Sequence, residues 1–388
     1  MSFDPLSASF DNPGFRELRE QCPVSRTEMG PLYFARYADS VAGSKDVSRY
    51  VASFREPGVV VPDEEQLVSE IPEPRHGQIR KIINSAIAAH RIGRVEPFCF
   101  ELCNSLLDGF VGRAEPIDLV SEYVMPVPNN VIAHLLGAPA EDFHLWAQWS
   151  DEVVQGTYPT QNRNERGEGL AGAHPEFVEY VDALIAERRL RPTDDFITRL
   201  VSTEVNGRKL TDIEARSQLV FLFISGNETT RHLIGNLLWR VIDDPLLFAT
   251  LKADRSLLPM AVEESLRLDP PVKFLMRNCM AETEVARVAI AAGEKVVFGL
   301  GSANRDENQF EDADAFRLDR PEPRSHLSFG GGPHVCPGAT LARLEARVAL
   351  DVFLDRVESA TLLQKKFDAV EVFWALGPAS LRVNLTSN

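Results

Sequence analysis

Apolar residues recur at intervals of three and four over most of the chain. This period predicts amphipathic helices across Arg80–Ala89, Val95–Phe110, Met125–Leu136, His144–Val154, Glu176–Arg188, Asp212–Val241, Leu247–Ala253 and Leu258–Leu268. The longest run, Asp212–Val241, opens on Thr211 and Asp212 as cap candidates and is closed by Asp243-Asp244-Pro245. Another helix is expected from Ala339 to Val357. Strand-like pieces are short: Leu32–Phe34, Glu284–Ile290, Lys295–Phe298, and a C-terminal pair near Val370–Trp374 and Ser380–Leu385. Ala291-Ala292-Gly293-Glu294 reads as a hairpin turn. Tyr158–Ala173 is polar and glycine-rich and reads as a mobile loop between two helices. No repeat, low-complexity tract or linker interrupts this order. The expectation is one mainly α domain with a minor β part, spanning residues 1–388.

Composition adds exclusions. The chain is 44% apolar and 25% charged, ordinary for a soluble globular protein. Its 57 acidic against 41 basic residues give a net charge of −16. Nucleic acid is therefore not an expected partner, since phosphate binding needs basic clusters. A protein partner docking on a local charged patch remains open. No segment has the roughly 18 consecutive apolar residues of a membrane span. Met1–Gly14 carries Asp4 and Asp11 and lacks the basic-then-apolar order of a secretory signal. A cytoplasmic, soluble protein with no membrane contact is expected. Five cysteines, Cys22, Cys99, Cys103, Cys279 and Cys336, argue in that setting against a disulfide framework. Cys99 and Cys103 share a helix face and read as core thiols.

Four groups of residues carry candidate chemistry. The first is Phe329-Gly330-Gly331-Gly332-Pro333-His334-Val335-Cys336-Pro337-Gly338, directly before a helix. A thiol near a helix N-terminus loses its proton easily and becomes a soft anionic ligand. Glycines let backbone fold around it and leave room for a flat cofactor. Taken alone, the stretch could equally be a glycine-rich turn with a buried cysteine. The second is Ser225-Gly226-Asn227-Glu228-Thr229-Thr230, inside the longest helix after five apolar residues. Glycine costs a helix about 1 kcal/mol relative to alanine. Threonine can bond back one turn and bend it. A local groove offering an acid and an alcohol is one reading; a solvated kink or a packing surface is the other. The third is Glu264-Ser265-Leu266-Arg267, whose spacing puts opposite charges on one helix face. Most such pairs are surface features of little value. The fourth is His76-Gly77-Gln78-Ile79-Arg80, opening a helix after Pro72 and Pro74, where a surface histidine is the plainer alternative.

Order and spacing link the four. Glu264 and Arg267 are followed by Asp269-Pro270-Pro271-Val272, Arg277, the turn at Gly293, Phe316-Arg317-Leu318-Asp319-Arg320-Pro321 and the cysteine loop. From about residue 70 to the C-terminus this resembles the cytochrome P-450 superfamily, in its soluble bacterial form. The loop matches Phe-Gly-x-Gly-x-His-x-Cys-x-Gly at every marked position. Ser225 departs mildly from the usual alanine or glycine, adding a hydroxyl to an oxygen-binding groove.

The resemblance implies a triangular prism of helices with small sheets. Haem b (iron protoporphyrin IX) would lie between the long central helix and the helix after the cysteine loop. It implies Cys336 as iron ligand. His76, Arg80, Arg277 and His334 would serve the haem propionates, with Phe329, Gly226 and Gly338 also around the cofactor. Glu228 and Thr229 would relay protons to dioxygen. Glu264, Arg267 and Arg320 would lock the chain that holds the loop. Phe221, Ile224, Ser225, Val272, Phe274, Leu275, Phe373, Trp374, Ala375 and Leu376 would face the substrate, although core packing is the alternative for many of them.

The implied activity is a monooxygenase inserting one oxygen atom from dioxygen into a small, largely apolar molecule, a terpenoid or aromatic first. A steroid or a carrier-bound natural product is the alternative, as is a peroxide-driven enzyme. Glu228 and Thr229 speak against peroxide, which brings its own protons. A ferredoxin and its reductase would supply electrons to a monomer, docking near Arg343 and Arg347.

Overall fold

The computed structural model describes residues 3–53, 60–89, 92–155, 174–364, 367 and 369–387. The expected mobile loop Tyr158–Ala173 lies outside them. Contacts group the chain into two compact units. One comprises residues 58–99 and 126–228; the other comprises residues 1–57, 100–125 and 229–388.

The first unit is helical. It contains Arg75–Ala89, Pro126–Leu136, Phe143–Gln155, Pro175–Leu190, Phe196–Ser202 and the first part of the helix Asp212–Asp243. Its core is aromatic: Trp146 meets Phe223 and Phe177 edge-on with centroids 4.9 and 5.3 Å apart, and Trp149 stacks on Phe177. Helix starts are capped by side chains. Asp195 accepts from the Thr198 amide at 2.7 Å, and His174 accepts from the Phe177 amide. Such caps satisfy amides that the first turn leaves open.

The second unit combines helices with a five-stranded sheet. The strand order is Val24–Arg26, Leu32–Phe34, Lys295–Gly299, Phe274–Cys279 and Tyr50–Ala52. Leu32–Phe34 runs parallel to Lys295–Gly299, and the other pairs are antiparallel. Adjacent strand residues point to opposite faces. Leu32, Phe34, Val296 and Phe298 accordingly join one core cluster, while Tyr33, Val297 and Phe274 join another with Leu6, Phe10 and Phe15. Helices Leu258–Leu268 and Ala339–Arg356 belong to this unit as well.

Two strand expectations and one turn expectation are corrected. Glu284–Ile290 is two strands, Thr283–Val285 and Val288–Ile290, folded at Ala286 and Arg287 with φ of 49° and 67°. Two successive positive φ angles make a two-residue hairpin turn. Ala291–Glu294 instead leads into a strand of a different sheet. Val370–Trp374 is no strand; the C-terminal strand Arg382–Ser387 pairs with Val357–Leu362 and Ile117–Asp118.

Candidate active site

The cysteine loop is held by its own backbone. The Gly330 amide donates to the Leu327 carbonyl at 2.7 Å, and the Cys336 amide donates to the Phe329 carbonyl at 2.9 Å. Gly332 has φ of 64°, and a β-carbon there would fall 2.2 Å from the Ser44 carbonyl oxygen, so only glycine fits. Cys336 is half-buried, two residues before Gly338, which starts the 18-residue helix Ala339–Arg356. A β-carbon on Gly338 would lie 3.8 Å from the Cys336 sulfur. The sulfur therefore sits against the first turn, where the helix end favours negative charge.

Behind the loop lies a fully buried ionic network. Glu264 receives Arg267 through both oxygens at 2.8 and 3.0 Å, and Arg320 at 2.8 and 3.3 Å. Burial pushes the Glu264 carboxyl up. Hydrogen bonds from Arg267 and Arg320 outweigh it and hold the group below its ordinary value. Arg267 also donates to the carbonyls of Asn304, Ala313 and Ala315. Asn304 continues the chain of contacts, accepting from the Leu327 amide at 2.7 Å and donating to Ser328 at 2.9 Å. The structure thus brings Glu264, Arg267 and Arg320 together and ties them to the segment entering the loop.

A second cluster gave no sequence signal. Glu263 accepts Arg343 through both oxygens, at 2.6 and 3.0 Å, and the ring of His326 at 3.0 Å. Burial pushes the Glu263 carboxyl up, and His326 and Arg343 more than reverse it. The Arg343 guanidinium lies 4.4 Å from the centroid of Phe329. This corrects the expectation of Arg343 as part of an outward basic patch: its charge is turned inward onto Glu263 and an aromatic face. Nothing in spacing links residues 263, 326 and 343; the fold alone assembles them.

The cations expected around the cofactor fall in both units. In the sheet-bearing unit, Arg277 is 7% exposed and donates to the Met276 carbonyl at 2.7 Å. Burial drives its guanidinium down to about 10. With no counter-charge among the described residues, such a group wants a buried anion. His334 is half-buried within the loop. In the helical unit, His76 is 2% exposed, with Nδ1 2.9 Å from Glu73. This corrects the surface alternative for His76. Arg80 is half-buried one turn further along the same helix.

The helix Asp212–Asp243 is unbroken through Ser225–Thr230. Glu228 is buried and Thr229 half-buried. Ser225 spends its hydroxyl on the Phe221 carbonyl at 2.7 Å, one turn back, which satisfies it within the helix. A β-carbon on Gly226 would meet Ile132 at 3.1 Å, so the glycine allows close helix packing. Phe221 and Ser225 are half-buried and Ile224 is buried.

Among the remaining expected pocket residues, Phe274 is corrected: it is buried in a core cluster, against which the half-buried Trp374 also leans. They pack with Leu6, Phe10 and Phe15. Leu275 faces the other way and, with Val272, packs against Leu300, Ala303 and Leu327. Alternation along the strand separates Phe274 from Leu275. Ala375 bridges to Val272, and Phe373 is 52% exposed.

The donor set fits haem. A half-buried thiol stands at a helix start, and a buried guanidinium with no carboxylate partner among the described residues suits a propionate. Comparison with known proteins agrees. The family model described as Cytochrome P450 matches residues 162–371. The steroid C26-monooxygenase of Mycobacterium tuberculosis strain H37Rv is 33% identical over 352 residues, 90% of this chain and 86% of that protein. The erythromycin C-12 hydroxylase of Saccharopolyspora erythraea is 34% identical over 349 residues, 89% of this chain and 86% of that protein. The structure of cytochrome P450 CYP109Q5 from Chondromyces apiculatus superposes with a TM-score of 0.89 at 32% identity, covering 100% of this chain and 98% of that one. The chain belongs to the cytochrome P450 family, and its fold is the P450 fold. It is an oxidoreductase, a haem-dependent monooxygenase of the bacterial type.

Proposed function

We propose that this enzyme oxygenates a bulky, apolar, ring-bearing molecule of steroid size, with electrons from a ferredoxin and its reductase. The bound haem supplies the redox chemistry that splits dioxygen, leaving one oxygen atom in the substrate and one in water. Cys336 would be its thiolate ligand, with Arg277, His334, His76 and Arg80 holding the propionates. Glu264, Arg267 and Arg320 would keep the chain around the loop in place. Thr229 would donate a proton through its hydroxyl, and Glu228 would resupply it. Phe221 and Ile224 would exclude water and hold the substrate by apolar contact.

The observation that carries this reading is Arg277. Its charge is buried, with no carboxylate paired to it among the described residues, and calls for an anion such as a propionate. The size of the substrate rests on a different point. Phe274 is buried in the core, so one of the expected aromatic side chains does not crowd the pocket. Relatives named for a steroid and for erythromycin support the larger class over the compact terpenoid or small aromatic. Spectral titration of the purified holoenzyme decides. A steroid should shift the haem band to high spin at micromolar levels, and small monocyclic aromatics should not. A shift given by large polar carboxylates alone would overturn the pocket reading. Product formed with NADH, ferredoxin and reductase, and not with peroxide alone, would support the electron route.

A further inference from the structure

We propose that Glu263 is a positioning residue that clips both ends of the cysteine loop and thereby sets the donor strength of the Cys336 thiolate. The inference rests on the haem-thiolate reading above and concerns residues outside the Glu264–Arg267–Arg320 network.

His326 precedes the loop by three residues, and Arg343 follows Cys336 by seven. Both end on the same carboxylate: His326 Nε2 at 3.0 Å, Arg343 at 2.6 and 3.0 Å. The histidine tautomer is determined by its other partner. Nδ1 accepts the Ser328 amide at 3.2 Å, so Nε2 carries the hydrogen and donates to Glu263. Between these anchors lies Phe329. Its ring is 4.4 Å from the Arg343 guanidinium and 6.0 Å from the His326 ring. Its carbonyl accepts the amide of Cys336 at 2.9 Å. Slack at Glu263 would therefore reach the cysteine through one ring and one hydrogen bond. The side chain of Glu263 is 5% exposed, so water cannot readily replace it.

Charge points the same way. A two-pronged pair with carboxylate neutralises Arg343. Without Glu263 an uncompensated guanidinium would sit on Phe329, beside the loop. Positive charge there favours the reduced iron, and a loosened thiolate does so too. Glu264, next in sequence, cannot substitute, because adjacent helix residues do not face the same way.

The test uses holoenzyme carrying Glu263→Gln and, separately, Arg343→Lys, which keeps the charge and loses the planar fork. Three quantities are read: melting temperature, midpoint potential, and the fraction of reduced, carbon monoxide-bound protein with the red-shifted thiolate-type band. For Glu263→Gln the expected result is at least a tenfold shift toward reduced iron, 59 mV upward for a one-electron couple, with part of the thiolate-type band lost. Arg343→Lys should move the potential in the same direction by less, and it decides alone if Glu263→Gln does not fold. Lower melting temperatures with unchanged potential and band would reduce the cluster to ordinary support and overturn the proposal. A parent enzyme without the thiolate-type band would overturn the haem-thiolate reading itself, and this inference with it.

Discussion

Arg277 is a single residue whose burial calls for an anion beside it. Its guanidinium is buried over the Phe298 ring, 5.7 Å from the centroid, with burial driving it down to about 10. Arg277→Met keeps the aliphatic contact and removes the cost of an uncompensated buried charge. The apoprotein should melt higher. Haem should bind about tenfold to a hundredfold more weakly, as expected for losing one charged hydrogen bond of about 1.5–3 kcal/mol. Haem transfer to an acceptor protein measures this; equal retention would remove Arg277 from the propionate site. At Thr229 the expectation concerns protons. Thr229→Ala should retain haem and substrate binding while diverting at least half of the consumed NADH to hydrogen peroxide. Unchanged coupling of NADH to product would count against the proton role.

The helix Ala339–Arg356 has a second unusual occupant. Glu345 is 1% exposed, and burial, with the nearby Cys103 adding to it, pushes its carboxyl well above the ordinary value. The folded protein thus keeps this proton after the unfolded chain has released it. Stability is fully present below the ordinary glutamate pKa of about 4.3. It declines as pH rises, by about 1.4 kcal/mol per unit, until the raised folded value is passed. Glu345→Gln should therefore melt higher than the parent at pH 7 and nearly together with it at pH 4. Melting curves differing equally at both pH values would contradict this.

Elements also show what the sequence could convey. Helical spacing located Leu258–Leu268 at both ends, because its apolar stripe is unbroken. The hairpin at Ala286 and Arg287 was illegible, since neither residue is a usual carrier of positive φ. Phe274 and Leu275 looked alike until pairing in the sheet assigned them opposite faces. Cys336, Glu264 and Arg267 stood out because motif order survives without structure. Glu263, His326 and Arg343 did not, because their link spans 80 residues and exists only in three dimensions.

For the whole molecule, charge would shape the proposed encounter with a ferredoxin. The chain carries a net charge of −16, and among the described residues no helix is long and apolar enough to cross a membrane. An acidic ferredoxin would meet overall repulsion at long range, so docking requires local attraction at short range. Because the Debye length falls to about 10 Å at 0.1 M salt, reduction should first quicken with added salt and then slow. A rate that rises across the whole range would exclude electrostatic docking.

The central claim is that Cys336 ligates haem iron, and the reduced, carbon monoxide-bound spectrum tests it most directly. The parent protein should show the red-shifted thiolate-type Soret band, and Cys336→Ser, with haem still bound, should lose it entirely. A Cys336→Ser spectrum indistinguishable from that of the parent would contradict the account.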